Sequence, residues 1–296
     1  VNTVTASSQS VTQIDTTKPT AARLTTTKTS KSITVTASGT DAESGITHYQ
    51  FSKDNGSTWT AIQTSNKYTF SSLKTGSYTI MVKVVNGTYA NVKAVNANNS
   101  LNSASKAVST TTITTPIYAV SPTGWAQSKT VTITYPSGYT NQYSTDGGKT
   151  WTAYSKALTF TANGSVIART TDGINTVTAS SQSVTGIDTT KPTAASFTYT
   201  RTSKSITVTA SGTDAESGIT HYQFSKDNGT TWTTIQTGKS YTFNNLATGS
   251  YNIKVKVING TYANVKAVNA NNSLDSTAQS VATVAIAAPT YSVTNA

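Results

Sequence analysis

The chain has 296 residues, of which only 11% are charged, and its 22 basic and 11 acidic residues give a formal net charge of +11. It has no cysteine, which excludes disulfides and thiolate metal sites, and no apolar run approaches the ~20 residues of a membrane-spanning helix. The basic residues are dispersed, a pattern typical of solubility and of protected sheet edges. This argues against specific nucleic-acid binding and leaves attraction to anionic wall polymers or glycans open.

Composition and repetition together predict the architecture. Thr, Val, Ile and Tyr suit pleated sheets, and no stretch keeps a 3.6-residue period, so we expect an all-β protein. Residues 1–123 align with 174–296 without a gap at an offset of 173, and Ser30–Gly56 recurs letter for letter as Ser203–Gly229. A 173-residue period is too long for one solenoid unit, so each period must contain whole domains.

Two alternating domain types, A and B, are predicted in a linear array. Prolines in Thr16–Thr20 and Thr189–Thr193, and at Pro116 and Pro289, indicate extended joints between them. The predicted order is the last strand of a B-type domain at 1–14, an A-type domain at 15–115, a B-type domain at 116–187, an A-type domain at 188–288 and the first strand of a further B-type domain at 289–296. Since the chain begins at Val1 without an initiator Met or a signal peptide, we expect an internal segment of something longer.

Within the A-type domain, Ile33, Val35 and Ala37 alternate with Thr and Ser, which predicts a half-buried strand, and another strand is expected at Ile46–Ser52. Further along, Ile80, Val82 and Val84 predict a strand on which Lys83 faces outward. Asn86-Gly87 and Asn259-Gly260 have the residues of tight hairpin turns. The stretch after each suggests an extra hairpin, and the pairing of 88–106 stays open.

Three segments share the pattern Ser-x-Asp-x-Gly-x-x-Trp, which predicts a hairpin stabilised by the Asp side chain, with Gly at positive φ and the Trp as a cap. The pattern residues are Ser52, Asp54, Gly56 and Trp59; Ser144, Asp146, Gly148 and Trp151; and Ser225, Asp227, Gly229 and Trp232. They resemble the Asp box of sialidases, where the motif is structural, so the resemblance implies no activity. Their spacing is too wide for propeller blades, so one box per domain is expected.

The stretches leading into Tyr78 and Tyr251 resemble the tyrosine corner of immunoglobulin-like and fibronectin type III sandwiches. Together with the proline joints and the Asp-box hairpins, they resemble the tandem Ig-like repeats of bacterial surface proteins, and this resemblance covers essentially the whole chain. It implies tandem β-sandwich domains arranged like beads on a string.

Eight of the eleven acids are four positions that occur twice. Three of these positions lie at a joint and in a loop that could share one end of the sandwich: Asp15, Asp41 and Glu43, and Asp188, Asp214 and Glu216. Together with backbone carbonyls they could supply the six to eight oxygen ligands of calcium, as resembling arrays do at their joints. The alternative is that Asp15 and Asp41 cap turns.

No catalytic constellation is visible. His48 and His221 are one position in two copies and are expected on a strand face, and no Ser-His-Asp set or phosphate-binding loop occurs, so we expect no enzyme. The function expected is that of a stalk in a secreted, extracellular bacterial surface protein, adhesin-like, whose partners are further repeats or neighbouring domains. The alternatives are a filament subunit joined through strand edges and a carbohydrate-binding module that uses aromatics such as Trp125.

Overall fold

The computed structural model describes residues 1–292, which form an all-β chain of tandem Ig-like sandwiches. The first sandwich has two sheets, β1-β2-β4 and β3-β5-β6, and a further strand, β7, also pairs with β5. Its elements are β1 Ala21–Lys28, β2 Ile33–Thr40, β3 Ile46–Ser52, β4 Lys67–Phe70, β5 Ser77–Asn86, α1 Tyr89–Val92, β6 Ser100–Asn102 and β7 Lys106–Ser109. The predicted all-β class is confirmed.

Alternation along β2 and β5 builds the core of this sandwich. Inward residues such as Ile33 on β2 and Val82 on β5 are fully buried and belong to one apolar cluster with Phe51 of β3. The outward positions of β2 are three threonines and a serine, and Thr34 forms a cross-strand hydroxyl–hydroxyl hydrogen bond of 2.9 Å with Thr69 of β4. The sequence thus separates an apolar inner face from a polar outer face, and Thr replaces charge on the outside.

The middle sandwich has the sheets β12-β9-β8 and β11-β10-β13-β14, and β15 also pairs with β13. Its strands are β8 Ile117–Ser121, β9 Lys129–Thr134, β10 Thr140–Ser144, β11 Thr152–Ala153, β12 Leu158–Phe160, β13 Gly164–Thr171, β14 Thr176–Thr178 and β15 Gln182–Val184. Val131 and Ile133 on β9 and Val166 and Ala168 on β13 point inward and are buried.

The last sandwich repeats the first element by element, with sheets β16-β17-β19 and β18-β20-β21 and with β22 pairing with β20. Its elements are β16 Ala194–Arg201, β17 Ile206–Thr213, β18 Ile219–Ser225, β19 Ser240–Phe243, β20 Ser250–Asn259, α2 Tyr262–Val265, β21 Ser273–Asp275 and β22 Gln279–Ala282. No helix within residues 1–292 has the length and apolar character needed to cross a membrane.

Two local predictions are wrong. The extra hairpin suggested for the stretch after Asn86-Gly87 is absent, because that stretch forms the short helix α1 and the strand β6, and β6 and β7 both pair with β5. Asn86-Gly87 does not form a hairpin turn, because β5 ends at Asn86 and the chain continues through the short helix α1 before β6 returns beside β5. The same occurs at Asn259-Gly260. Glycine has another role at this position: a Cβ at Gly87 would lie 2.9 Å from the Ser44 carbonyl oxygen, so glycine is needed there for close approach and not for positive φ.

The predicted partial domains at the two ends contain no strand where the structure describes them, which is 1–14 and 289–292. Residues 293–296 of the second one lie outside the described residues. The segment equivalent to 1–14 supplies β14 and β15, and both pair with β13. Residues 1–14 have no such neighbouring strand, and an isolated strand leaves its backbone hydrogen-bonding groups unpaired. The boundaries between the five predicted segments stay a prediction.

By contact density the chain forms two compact units. The first contains Val1–Pro116, Tyr135–Asn141 and Arg169–Thr178, and the second contains the remaining described residues. The first unit therefore combines the first sandwich with two loop regions of the middle segment, and the second unit combines the rest of that segment with the last sandwich.

Candidate functional site

The three Asp boxes have the same hydrogen-bond pattern. In the first, Ser52 Oγ donates to Asp54 Oδ1 at 2.7 Å, and the Thr58 N–H and hydroxyl donate to the two oxygens of Asp54 at 2.8 and 2.5 Å. The Thr58 hydroxyl and amide and the Ser52 hydroxyl lower the pKa of Asp54 from 3.8 to about 2. The Nζ of Lys83 lies 4.6 Å from the centre of the Trp59 ring. Both carboxylate oxygens of Asp54 thus accept hydrogen bonds within their own turn.

The second Asp box, inside the middle sandwich, repeats these bonds. Ser144 Oγ donates to Asp146 Oδ1 at 2.7 Å, and the N–H of Gly148 donates back to Ser144 Oγ at 2.8 Å. The indole N–H of Trp151 donates to the Gly148 carbonyl at 3.0 Å. In the third box, Ser225, Asp227, Gly229 and Trp232 follow the first, with Lys256 Nζ 4.6 Å from the Trp232 ring centre.

The three acids proposed for calcium in the second A-type domain come together. One ligand atom from each of Asp188, Asp214 and Glu216 lies within 4.8 Å of the others, and Asp188 is buried. Asp188 Oδ2 accepts from Ser217 Oγ at 2.5 Å and from Asn259 Nδ2 at 3.1 Å, and Asn259 Nδ2 also donates to Asp214 Oδ2 at 3.3 Å. The oxygens that would bind a metal therefore already accept hydrogen bonds.

In the first A-type domain, Asp15 and Asp41 accept the equivalent hydrogen bonds from Asn86. Within the described residues, however, Asp15, Asp41 and Glu43 do not bring three ligand atoms within 4.8 Å of one another as the second trio does. Asp15 Oδ2 accepts from the Ser44 hydroxyl, and this bond, with further hydrogen bonds, lowers the pKa of Asp15 to about 2. Glu43 Oε2 accepts from the N–H of Thr16 at 3.1 Å. Calcium binding stays a prediction: a melting temperature that falls in EDTA and recovers with added calcium would support it, and an unchanged melting temperature would contradict it.

Asn86 and Asn259 join these acids to the sheet, a role that sequence reasoning missed. The side-chain amide of Asn86 donates to Asp15 Oδ2 at 3.0 Å, to the Thr17 carbonyl at 2.9 Å and to Asp41 Oδ2 at 3.4 Å. Its Oδ1 accepts from the Thr88 hydroxyl at 2.6 Å. A buried Asn with every polar atom satisfied fixes the local geometry more strictly than an Asn at an exposed turn would.

The predicted tyrosine corner is present in both A-type domains. The Tyr78 hydroxyl donates to the Lys74 carbonyl at 2.9 Å, and the Tyr251 hydroxyl donates to the Ala247 carbonyl at 3.1 Å. Each bond ties the loop before β5 or β20 to that strand. In the first sandwich, the loop before β5 that this bond holds also contacts a loop of the middle segment.

A loop of the middle segment binds to the end of the first sandwich, within the first compact unit. Ser30 Oγ donates to Asp172 Oδ2 at 2.5 Å, and the N–H of Thr75 donates to Asn175 Oδ1 at 2.9 Å. Asn175 Nδ2 donates to the carbonyls of Ser30 at 2.9 Å and Leu73 at 3.1 Å. Ser30 and Asn175 are buried here. The Asp-Gly-Ile-Asn loop, 172–175, therefore inserts one carboxylate and one carboxamide into a matching set of donors and acceptors.

Two lysines complete this joint. Lys31 Nζ donates to the Asp172 carbonyl at 2.7 Å, and Lys74 Nζ donates to the Ile174 carbonyl at 2.9 Å. Burial acts to raise the pKa of Asp172, but hydrogen bonds, chiefly from the Asn175 N–H and the Ser30 hydroxyl, outweigh it and hold this pKa below its ordinary value. We call the binding surface the downstream pole, defined by Ser30, Lys31, Leu73, Lys74 and Thr75.

The second joint lies in the second compact unit, at the other end of an A-type domain. Asn264 Nδ2 donates to the carbonyls of Thr123 at 2.8 Å and Trp125 at 2.5 Å, and Gln127 Nε2 donates to Asn269 Oδ1 at 3.2 Å. Trp125, proposed for carbohydrate binding, is half-buried beside this joint. We call the surface formed by Asn264 and Asn269 the upstream pole; its counterpart in the first A-type domain is Asn91 and Asn96.

Comparison with known proteins supports the Asp-box motif. Residues 142–153 match the family model described as BNR/Asp-box repeat. No curated protein matches the chain. Solved structures to which it is similar include the chicken CNTN1 FN1-FN3 domains, at 14% identity and a TM-score of 0.29, covering 91% of this chain and 99% of that chain.

Two further solved structures are multidomain as well. The fibronectin(III)-like modules of Clostridium thermocellum CbhA show 10% identity and a TM-score of 0.23, covering 90% of this chain and 87% of that one. Three N-terminal domains of the bacteriophage RB49 highly immunogenic outer capsid protein (Hoc) show 13% identity and a TM-score of 0.42, covering 88% and 97%.

Proposed function

We propose that this chain is a structural spacer segment of a secreted bacterial surface protein, without enzymatic activity, which holds other domains away from the cell. The observation that carries the proposal is the side-chain-to-backbone joint at the downstream pole. There, Asn175 makes three hydrogen bonds to the first sandwich through Ser30, Leu73 and Thr75. A joint built from buried, directional hydrogen bonds resists rotation about the connecting segment, and a spacer requires this resistance.

The energetics favour an ordered joint. If the Asp172–Asn175 loop swung away, water would take over these hydrogen bonds, so each bond contributes only about 0.5–1.5 kcal/mol net, and several bonds together favour the closed joint. Domains held in this way project farther than a flexible linker of the same length, whose end-to-end distance grows only with about the square root of residue number. The extracellular location belongs to the same proposal.

The alternative function that the proposal must exclude is a filament joined through strand edges. The test is negative-stain electron microscopy with sedimentation velocity on the 296-residue chain over a hundredfold range of concentration. We expect separate particles with the mass of one chain, 30.9 kDa, at every concentration. Long filaments with a regular axial repeat would overturn the spacer and make assembly itself the function.

A further inference from the structure

The downstream pole occurs twice in the chain, in two different environments. In the second A-type domain it consists of Ser203, Lys204, Leu246, Ala247 and Thr248. Ser30 in the first domain is only 5% exposed beneath the bound loop, whereas its counterpart Ser203 is half-buried. Within residues 1–292, the Thr248 N–H and the Ser203 hydroxyl have no hydrogen-bond partner. The second pole therefore presents its binding groups to solvent.

The open pole has the same internal geometry as the filled one. Leu246 N–H donates to the Lys204 carbonyl at 2.9 Å, just as Leu73 N–H donates to the Lys31 carbonyl at 2.9 Å. The tyrosine corner at Ala247 matches the one at Lys74. Since the same hydrogen bonds hold both loops, the open surface keeps the local geometry that binds the loop at the filled pole.

We propose that the downstream pole of the second A-type domain binds the Asp-Gly-Ile-Asn loop of another B-type domain. Ser203 donates to the loop carboxylate, Lys204 to the carbonyl of the loop Asp, and Thr248 N–H to the Asn side-chain oxygen. The carbonyls of Ser203 and Leu246 accept from the Asn amide. This deepens the proposed spacer function, because it names the partner that continues the array.

The loop has features that an arbitrary surface turn lacks. Gly173 adopts a positive φ of 91°, and Asp172 Oδ1 accepts from the N–H groups of Ile174 at 2.8 Å and Asn175 at 2.7 Å. These bonds hold the loop in its binding shape. Asp-Gly-Ile-Asn occurs once in the chain, and that copy is already bound at the first pole, so the occupant is a loop of another B-type domain.

One position differs between the two poles. Lys74, whose Nζ reaches the Ile174 carbonyl, is replaced by Ala247. The second joint therefore has one charge-assisted bond fewer and should open somewhat more often than the first, since hydrogen bonds to charged groups are the stronger ones.

The test is amide hydrogen exchange on an extended chain, in which a copy of residues 124–187 follows Ala296. The residues before it, 289–296, match 116–123, so the added segment completes a B-type domain. In the 296-residue chain we expect Thr75 N–H to exchange slowly and Thr248 N–H to exchange rapidly. In the extended chain, exchange at Thr248 should slow by about tenfold or more, towards the rate of Thr75.

Two controls make the result decisive. A second extended chain carries Ala at the added positions equivalent to Asp172 and Asn175, and there Thr248 should exchange rapidly again. In the 296-residue chain, D172A/N175A should likewise make the Thr75 N–H exchange rapidly. Any one of three results would overturn the proposal. Thr248 N–H could exchange rapidly in the first extended chain, or it could be equally protected in both extended chains. The third result is that Thr75 N–H keeps its protection in D172A/N175A. Filament formation by the unextended chain tests the spacer separately, so the two failures are distinguishable.

Discussion

Asn86 and Asn259 are fully buried at the ends of β5 and β20, where each amide donates to two carboxylates and one carbonyl. Replacing both by Ala removes the donor that two acids share and exposes them to mutual repulsion. Each buried polar group left without a partner costs about 1–3 kcal/mol. The free energy of unfolding of N86A/N259A, measured by urea titration, should therefore fall by about 2 kcal/mol or more per A-type domain.

The matched control for that pair is N98A/N271A, because Asn98 and Asn271 are exposed. Their replacement should change the unfolding free energy by no more than about 0.5 kcal/mol. Equal effects of the two double variants would show that the buried amides do not hold the acidic groups together.

At the residue scale as well, the lowered pKa values of the Asp-box carboxylates predict how the free energy of unfolding depends on pH. The folded-state pKa of Asp54 and of Asp227 is lowered from 3.8 to about 2 by hydrogen bonds from Thr58 and Thr231. A lowered folded pKa stabilises the protein above the unfolded value, and this contribution is lost as pH falls from about 4 towards 2. The melting temperature should fall across that window. D54N/D227N should show a shallower fall, and an equally steep one would contradict the role given to these groups.

At the level of elements, the connection between β5 and α1 depends on glycine for space. A Cβ at Gly87 would lie 2.9 Å from the Ser44 carbonyl oxygen, and one at Gly260 would lie 2.7 Å from the Ser217 carbonyl oxygen. Both neighbours are backbone atoms and cannot move cheaply. G87A/G260A should therefore cost about 1–3 kcal/mol per A-type domain in urea unfolding.

Gly76 and Gly249 provide the comparison, because a Cβ at either one meets nothing within 4 Å and neither has positive φ. G76A/G249A should be neutral or stabilising by about 0.4–1 kcal/mol. If G76A/G249A lowered the free energy of unfolding as much as G87A/G260A does, the cost at Gly87 would come from lost backbone flexibility and not from the close approach of Ser44.

The elements also show what could be predicted from sequence. Alternation at Ile33, Val35 and Ala37 predicts β2, and the local spacing around Tyr78 predicts its bond to the preceding loop, because both signals lie within a few residues. The joint between Ser30 and Asp172 could not be predicted in this way. Its partners are 142 residues apart, and their meeting depends on how a whole domain folds. The one signal in the sequence for this joint was the Ser30-Lys31 pair, which recurs unchanged as Ser203-Lys204 in the second copy of the repeat.

For the whole molecule, the hydrogen bonds at the downstream pole should control how often the Asp172–Asn175 loop separates from the first sandwich. N175A removes three hydrogen bonds to the pole, and a loss of about 1–3 kcal/mol raises the open population roughly 5- to 150-fold. The connecting segment, 110–116, includes Ile113 and Pro116, which are buried. Proteinase K should therefore cleave this segment faster in N175A by a comparable factor, since cleavage follows the open population when opening is rapid.

Asn2 supplies the matched control, because it holds the position of Asn175 in the N-terminal repeat but is exposed and makes no hydrogen bond within residues 1–292. N2A should leave cleavage of segment 110–116 at the wild-type rate. Equal rates in N175A and the wild type would mean that the joint carries no stiffness. The spacer would then have to depend on the connecting segment itself, where Ile113 is the one large apolar side chain.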